Sequence, residues 1–160
     1  MMDEADSSHW LWVGKLAPPQ NQTQSVPRES LLARLGRRER MELLLVISPP
    51  GFGKTTLLTQ WRAALLGGPN PRQVAWLSLD EADADPNRML AYLVLAFEMA
   101  GVHSGQLGQR ARTQALDPDP QRNVAALLQV LRQHGQRFTL MLDDYHRAAC
   151  TTPVSFSASS

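Results

Sequence analysis

Residues 48–56 read Ser-Pro-Pro-Gly-Phe-Gly-Lys-Thr-Thr, and they directly follow the apolar run of residues 43–47. The continuous apolar run predicts a strand buried on both faces, and the residues after the loop predict a helix that begins at Lys54. Gly51 and Gly53 let the backbone adopt conformations that other residues avoid, so successive N–H groups can turn toward an anion. The helix start adds free N–H groups and the positive end of a dipole. The stretch therefore predicts a phosphate-binding loop.

The spacing matches the Walker A motif of nucleotide-binding proteins, G-x-x-x-x-G-K-[ST], except that Ser48 stands where the first glycine is expected. Lys54 would reach the β- and γ-phosphates as a compact cation, and the Thr55 hydroxyl would ligate the Mg²⁺ that accompanies the nucleotide. The alternative is a plain turn between a strand and a helix, with Lys54 on the surface. Because the motif lies between a predicted strand and a predicted helix, as its chemistry requires, we favour the phosphate-binding interpretation.

Composition and charge limit the classes of protein to which the chain can belong. The chain has 160 residues, is 43% hydrophobic and carries a formal net charge of +1. This length supports one domain with a real core, and the near-neutral charge gives no global attraction to nucleic acid or membrane. The lone Cys150 excludes an internal disulfide framework, and the sequence has no Cys/His spacing typical of a metal site. Its start is acidic and it has no apolar run of about 20 residues, so we expect a cytoplasmic protein without signal peptide or membrane helix.

Apolar patterning predicts helices that alternate with strands. Asp85-Pro86 and Asp119-Pro120 are helix-start signals, whereas Gly67-Gly68-Pro69 and Gly135 are stop signals. In the helix after Pro120 the predicted buried stripe consists of Val124, Leu127, Leu128 and Leu131. The predicted helices cover residues 28–40, 54–66, 86–100 and 120–134, the predicted strands cover 41–47, 74–79 and 138–142, and 102–118 is expected to be a loop with at most a short helix. This alternation predicts an α/β fold with a parallel sheet flanked by helices.

Two carboxylates follow the last predicted strand. Residues 138–144 read Phe-Thr-Leu-Met-Leu-Asp-Asp, which is the Walker B form of an apolar strand followed by acids. Because the carboxyl ends of parallel strands meet at one edge of a sheet, we expect Asp143 and Asp144 to face the same crevice as the phosphate loop. Asp143 would hold Mg²⁺ through water, and Asp144 would orient or deprotonate the attacking water. The alternative is a strand end with solvated acids.

A second acidic stretch, residues 80–83, spells the Asp-Glu-Ala-Asp motif of RNA helicases. It follows the helix after the loop almost at once, whereas a helicase places its acidic motif several strands later, and the other helicase motifs are missing from the sequence. We interpret Asp80 and Glu81 as the end of a strand and a turn, close to the site but not central to it. The histidines without metal-site spacing are expected at the surface; they are His103, His134 and His146.

Five segments, taken in order, resemble the amino-terminal part of MalT-like transcriptional activators. They are Lys15-Leu16-x-Pro18-Pro19, Val26-Pro27-Arg28-x-x-Leu31, the loop and helix from Pro49 to Trp61, Ala75 to Glu81, and Leu142 to His146. MalT-like activators are large LuxR-family regulators with a STAND-class, AAA-type P-loop ATPase domain. The resemblance covers about Lys15 to His146, and it implies that Val26 and Arg28 lie near the adenine of ATP. It implies that Asp143 and Asp144 serve Mg²⁺ and hydrolysis, and that the phosphates are wrapped by Pro50, Gly51, Phe52, Gly53, Lys54, Thr55 and Thr56.

The resemblance also implies a switch. In that family ATP binding, favoured by a small-molecule inducer, converts the protein to a self-associating form, and a carboxyl-terminal helix-turn-helix then binds DNA. ATP turnover is expected to be slow. The 160 residues contain no helix-turn-helix pattern, so inducer and DNA would be bound through other regions.

After His146 the resemblance gives way to a Ser/Thr-rich stretch. We therefore expect an extended lead-in over residues 1–24, a partial P-loop domain over residues 25–146 and a low-complexity tail over residues 147–160. Truncation would leave the sheet incomplete after the Walker B strand, because in this class the next strand lies between the phosphate-loop strand and the Walker B strand. Two other interpretations stay open: a small stand-alone ATPase or kinase, and an inert remnant that binds no nucleotide.

Overall fold

The computed structural model describes residues 10–20, 26–36 and 51–148. Some predicted features lie wholly or partly outside these ranges. They are residues 1–9 and 21–24 of the lead-in, residues 37–40 of the first predicted helix, the strand over residues 41–47, the start of the phosphate loop up to Pro50, and the tail from residue 149 onward.

Two parallel strands form the sheet in the part of the chain that the structure describes. Strand β1 is Gln73–Ser78 and strand β2 is Phe138–Asp143, with Gln73 opposite Phe138 and Ser78 opposite Asp143. The four middle residues of β1 are all buried, as expected of a strand covered on both faces. Both strands lie within one residue of their predicted bounds. The α/β class, with parallel strands flanked by helices, is confirmed.

Helices cover both faces of this sheet. The α-helices of the described ranges are α1 (Glu29–Gly36), α2 (Lys54–Gly67), α3 (Pro86–Met99), α4 (Gln106–Arg112), α5 (Pro120–His134) and α6 (Tyr145–Ala148). On one face Val74, Trp76 and Met141 pack against side chains of α2. On the other face Ala75 and Leu77 join a larger core that is built mainly from α3. The sheet is therefore covered by α2 on one side and by α3 with its neighbours on the other.

The predicted start signals of α3 and α5 are confirmed. The Asp85 carboxylate accepts a hydrogen bond from the Arg88 N–H at 2.9 Å, and the Asp119 carboxylate accepts one from the Gln121 N–H at 3.0 Å. A proline follows each cap in the first helical turn, where its missing N–H costs nothing. At the other end of α5, Gly135 adopts a left-handed conformation with φ 68°.

The buried stripe predicted for α5 is wrong at two of its four positions. Leu127 is buried and Leu131 is half-buried, whereas Val124 is 41% exposed and Leu128 is 47% exposed. Helical periodicity shows which residues share a face, but the width of the covered strip depends on the neighbouring elements. Among the described residues, the partners of α5 cover only one side of the predicted stripe. The polar Asn123 is buried instead, and its side chain bonds Asn87 and the backbone at Asp117.

The amino-terminal residues 10–20 are part of the packed structure. A 3-10 helix spans Val13–Leu16, and both Lys15 and Leu16 are buried. The Trp10 ring packs edge-on against Tyr92 of α3 at a centroid distance of 5.2 Å, and its indole N–H donates to the Arg112 carbonyl at 2.9 Å. The segment is therefore not wholly extended, because Trp10, Leu11 and Leu16 pack into the core that is built mainly from α3. No helix in the described ranges is both long and apolar enough to cross a membrane.

Candidate nucleotide-binding site

The backbone between Gly51 and Lys54 has the glycine conformations that a phosphate loop needs. Gly51 has φ 84° and Gly53 has φ 75°, in the region that favours glycine. Helix α2 begins at Lys54, directly after Gly53, and its first-turn N–H groups have no partners within the helix. The loop therefore leads straight into a helix amino terminus, which is an anion-binding arrangement.

Thr55 and Asp143, the two predicted magnesium ligands, are hydrogen-bonded to each other. The Thr55 Oγ1 hydroxyl donates to Asp143 Oδ2 at 2.8 Å, across 88 residues of sequence. Asp143 is the last residue of β2, and only 5% of it is exposed. The Asp143 carbonyl also accepts the Leu79 N–H at 3.0 Å, which continues the β1–β2 pairing past Ser78. The carboxyl end of the sheet and the start of α2 thus meet at this pair.

The other oxygen of the Asp143 carboxylate is held from its own chain. The Asp144 N–H donates to Asp143 Oδ1 at 3.0 Å, and Asp144 has the positive φ of 57°. Left-handed conformations are uncommon outside glycine, although Asp and Asn tolerate them best. This turn ends the strand and leaves the half-buried Asp144 directly beside the Asp143–Thr55 pair.

The segment that carries Val26 and Arg28 lies against the start of α2. The Gln60 side chain accepts the Arg28 N–H at 3.1 Å and donates to the Val26 carbonyl at 3.1 Å. The Arg28 guanidinium donates through Nη2 to the Phe52 carbonyl in the loop at 3.0 Å. Arg28 is therefore next to the loop, and Val26 lies against the second turn of α2; their predicted contact with adenine stays a prediction.

The remaining predicted residues of the loop lie at the same place. Lys54 and Thr56 are half-buried in the first turn of α2, and Phe52 is 63% exposed. Pro50 is outside the described residues. The structure thus brings together residues 26–28, 51–56 and 143–144 from three distant parts of the sequence.

The second acidic stretch has a different set of partners. Asp80 begins a short 3-10 helix, Glu81–Ala84, and its carboxylate accepts the Ala82 N–H at 2.9 Å. Asp80 also bonds the Lys15 ammonium at 2.9 Å, and the buried Asp83 pairs with the same ammonium. Arg88 Nε lies 3.4 Å from the other Asp83 oxygen, which is close enough for an ion pair but lacks hydrogen-bond geometry. These carboxylates anchor the amino-terminal segment, in agreement with the view that they are not central to the site.

The pKa of the Asp80 carboxyl is lowered in this cluster. Partial burial works to raise the pKa of Asp80, but the hydrogen bond and charge of Lys15 outweigh it and hold that pKa below its ordinary value of 3.8. The role of Lys15 was not predicted from sequence. The available signal was a cation within an otherwise apolar segment, Leu11–Leu16, which calls for a buried counter-charge.

The three histidines do not form a site. His103 and His146 are exposed, and His134 is half-buried with its ring 5.1 Å from that of Phe138. Within the described ranges, no group of three or more His, Cys, Asp or Glu residues could hold a metal ion.

Fold and site together define an α/β chain with a candidate phosphate loop beside a buried strand-end carboxylate. The chain is similar to the HTH-type transcriptional regulator MalT of Cronobacter sakazakii (strain ATCC BAA-894), with 35% identity over 148 residues, or 90% of this chain. The match lies in the amino-terminal part of that regulator, so the predicted resemblance is confirmed. The aligned part is 15% of the regulator's length. No protein-family model and no solved structure matches the chain.

Proposed function

We propose that this chain is the ATP-binding module of a MalT-like transcriptional regulator, in which bound nucleotide acts as a switch and hydrolysis is slow. The observation that carries the proposal is the hydrogen bond from Thr55 to Asp143. A hydroxyl at the start of the helix after a glycine loop, paired with a carboxylate at the end of a parallel strand, is the arrangement that Walker A and Walker B residues need.

The loop residues would bind the phosphates. Positive φ at Gly51 and Gly53 supports a backbone whose N–H groups turn toward an anion, and the start of α2 adds a favourable dipole. Lys54 would supply a cation to the β- and γ-phosphates. Val26 and Arg28 would lie at the adenine end, which the resemblance to MalT supports.

The residues present fit a magnesium ion bound together with the nucleotide. The Thr55 hydroxyl and the Asp143 carboxylate are hard oxygen donors, and Mg²⁺ takes its other ligands from phosphate and water. Two protein oxygens therefore suffice, although the described residues contain no cluster that could hold a metal alone. When bound, the ion would neutralise charge on the phosphates. Asp144 would orient the attacking water or accept its proton.

The regulator's other activities belong to the same proposal. The relative's name states that it is an HTH-type transcriptional regulator, and the chain spans 15% of its length. Self-association would occur in the full-length form, inducer and DNA would be bound through regions outside these 160 residues, and the protein would work in the cytoplasm.

Substitution of Lys54 by Ala tests the phosphate assignment. The variant removes a charge-assisted phosphate contact, so affinity for ATP is expected to fall by about one to two decades, or about 1.5 to 3 kcal/mol. Titration with a fluorescent ATP analogue in the presence of Mg²⁺ measures the change. Arg34→Ala, which removes an exposed cation from α1, is the matched control and should bind as the parent chain does. Equal affinities for the Lys54 variant and the parent would contradict the proposal.

A further inference from the structure

The Arg28 guanidinium lies directly against the loop backbone before Lys54. Its Nη2 nitrogen is 3.0 Å from the Phe52 carbonyl oxygen. A Cβ built on Gly53 would lie 2.5 Å from the same nitrogen, which is closer than side chains approach one another. Gly53 thus leaves the room that the guanidinium occupies.

The backbone that carries Arg28 is itself fixed to α2. Gln60 lies in the second turn of α2, and its amide bonds the Arg28 N–H and the Val26 carbonyl, each at 3.1 Å. The guanidinium therefore reaches the loop from a segment that is anchored to the helix which follows the loop.

A bond to the Phe52 carbonyl also orients the next N–H group. Every peptide bond in the described ranges is trans, and in a planar trans peptide the C=O and N–H point in opposite directions. With the Phe52 oxygen turned toward Arg28, the Gly53 N–H points away from it. A charged donor on the oxygen also polarises the peptide, which makes that N–H a stronger donor to an anion.

Within the part of the chain that the structure describes, the charge of Arg28 is not paired with an acid. Among the described residues no carboxylate forms an ion pair with Arg28. The half-buried guanidinium therefore contributes a net positive charge beside the loop.

We infer that Arg28 is a positioning residue of the phosphate loop: it holds the Phe52–Gly53 peptide so that the Gly53 N–H faces the anion before the nucleotide arrives. This inference rests on the proposed function, because it assumes that the loop binds phosphates. It adds a role in phosphate binding to the position near the adenine proposed above, so removal of Arg28 should also weaken the binding of ligands that have no base.

The test compares ATP with inorganic tripolyphosphate, both with Mg²⁺, by isothermal titration of the full 160-residue chain. Arg28→Met keeps the aliphatic stem but removes the donor and charge, and it should weaken binding of both ligands about tenfold. Arg28→Lys keeps a charge and one donor and should retain affinity within about threefold. The matched control is Arg34→Met, which removes an equal charge from the exposed side of α1 and should change neither affinity.

Thermal unfolding of each variant accompanies the titrations. If Arg28→Met does not fold, Arg28→Gln replaces it, since that side chain is polar but too short to reach the Phe52 carbonyl. Unchanged tripolyphosphate affinity in these variants would overturn the inference, as would a loss seen with ATP alone, which would mean a contact with the base. A loss in Arg28→Lys as large as in Arg28→Met would also overturn it. A parent chain that binds neither ligand would overturn the proposed function itself.

Discussion

Asp143 ends β2 and Asp80 lies two residues past the end of β1, yet their carboxylates have different partners. Asp143 accepts hydrogen bonds from Thr55 in the first turn of α2 and from its neighbour Asp144. Asp80 binds Lys15 and caps a short helix. From the sequence alone both are acids near the end of a strand. Their hydrogen-bond partners distinguish them.

Replacement of each aspartate by asparagine should separate these roles by experiment. Asp143→Asn removes the carboxylate charge beside Thr55, so the increase in ATP affinity that Mg²⁺ provides should shrink about tenfold. Asp80→Asn should leave that increase unchanged within about twofold, because its partners lie in the amino-terminal segment. Nucleotide titrations with Mg²⁺ and with EDTA measure the difference. A larger effect at Asp80 would mean that the wrong carboxylate is assigned to the ion.

Asp80 should also contribute a pH-dependent part of the stability. Its folded pKa is lowered from 3.8, so its contribution is fully present above about pH 4 and is lost as the pH falls through the lower folded value. The Asp80→Asn variant, in which asparagine can still cap the helix, lacks this contribution. Urea unfolding at about pH 6 and about pH 3 should therefore show a stability difference between parent and variant that narrows in acid. A difference independent of pH would contradict this assignment.

The proximity of Thr55 and Asp143 was predicted from sequence, because motifs of the Walker A and Walker B form are expected at the same edge of a parallel sheet. The Lys15–Asp83 pair was not accessible. Its members are 68 residues apart, and nothing local to either one indicates the other. Long-range ion pairs depend on tertiary packing. The periodicity of apolar residues does not show which charged residues that packing brings together.

For the helices, the sequence predicted where an element begins and ends better than which of its side chains are buried. Asp-Pro pairs and glycine stops set the bounds of α3 and α5, because capping uses groups within a few residues. The sequence predicts a loop with at most a short helix where α4 lies, since the seven residues of α4 have too few apolar positions to show a period. In α5 the apolar period is clear, but Val124 and Leu128 are exposed. The period did not show how much of the apolar face the neighbouring elements cover.

The short helix Val13–Leu16 should depend on its buried cation. Lys15→Met leaves the buried Asp83 with Arg88 as its remaining ionic partner, and a broken buried pair costs about 3 to 5 kcal/mol of unfolding free energy. The exposed Arg122 provides the comparison, because Arg122→Met removes only surface ion pairs and should cost no more than about 1 kcal/mol.

Urea unfolding of both variants measures these costs. Addition of Asp83→Asn to Lys15→Met should recover part of the loss, since a neutral amide no longer needs a counter-charge. If Lys15→Met proves as mild as Arg122→Met, the amino-terminal segment does not depend on this ion cluster.

For the molecule as a whole, the two strands are covered unequally. Four consecutive residues of β1 are buried, whereas in β2 Met141 and Asp143 are buried and Leu140 is 37% exposed. Amides in well-covered segments open only in large unfolding events, whereas poorly covered ones exchange through local opening.

Hydrogen exchange should therefore be slower in β1 than in β2. Amides of Ala75 to Leu77 are expected to be the better protected, and those of Thr139 and Leu140 to exchange earlier. Exchange followed by NMR resolves single amides in both strands. Equal protection in the two strands would show that they open as one unit and that the exposed side of β2 has no effect on its stability.

The contact between Trp10 and Arg112 has a consequence for synthesis on the ribosome. Trp10 is made before both of its partners: the carbonyl that accepts its indole N–H lies 102 residues further along the chain, and Tyr92 lies 82 residues further. At about 5 to 20 residues per second, roughly 5 to 20 seconds of translation separate the two ends of that contact. During this interval the Trp10 ring lacks both Tyr92 and the Arg112 carbonyl, so this aromatic side chain of the nascent chain is open to capture by a chaperone.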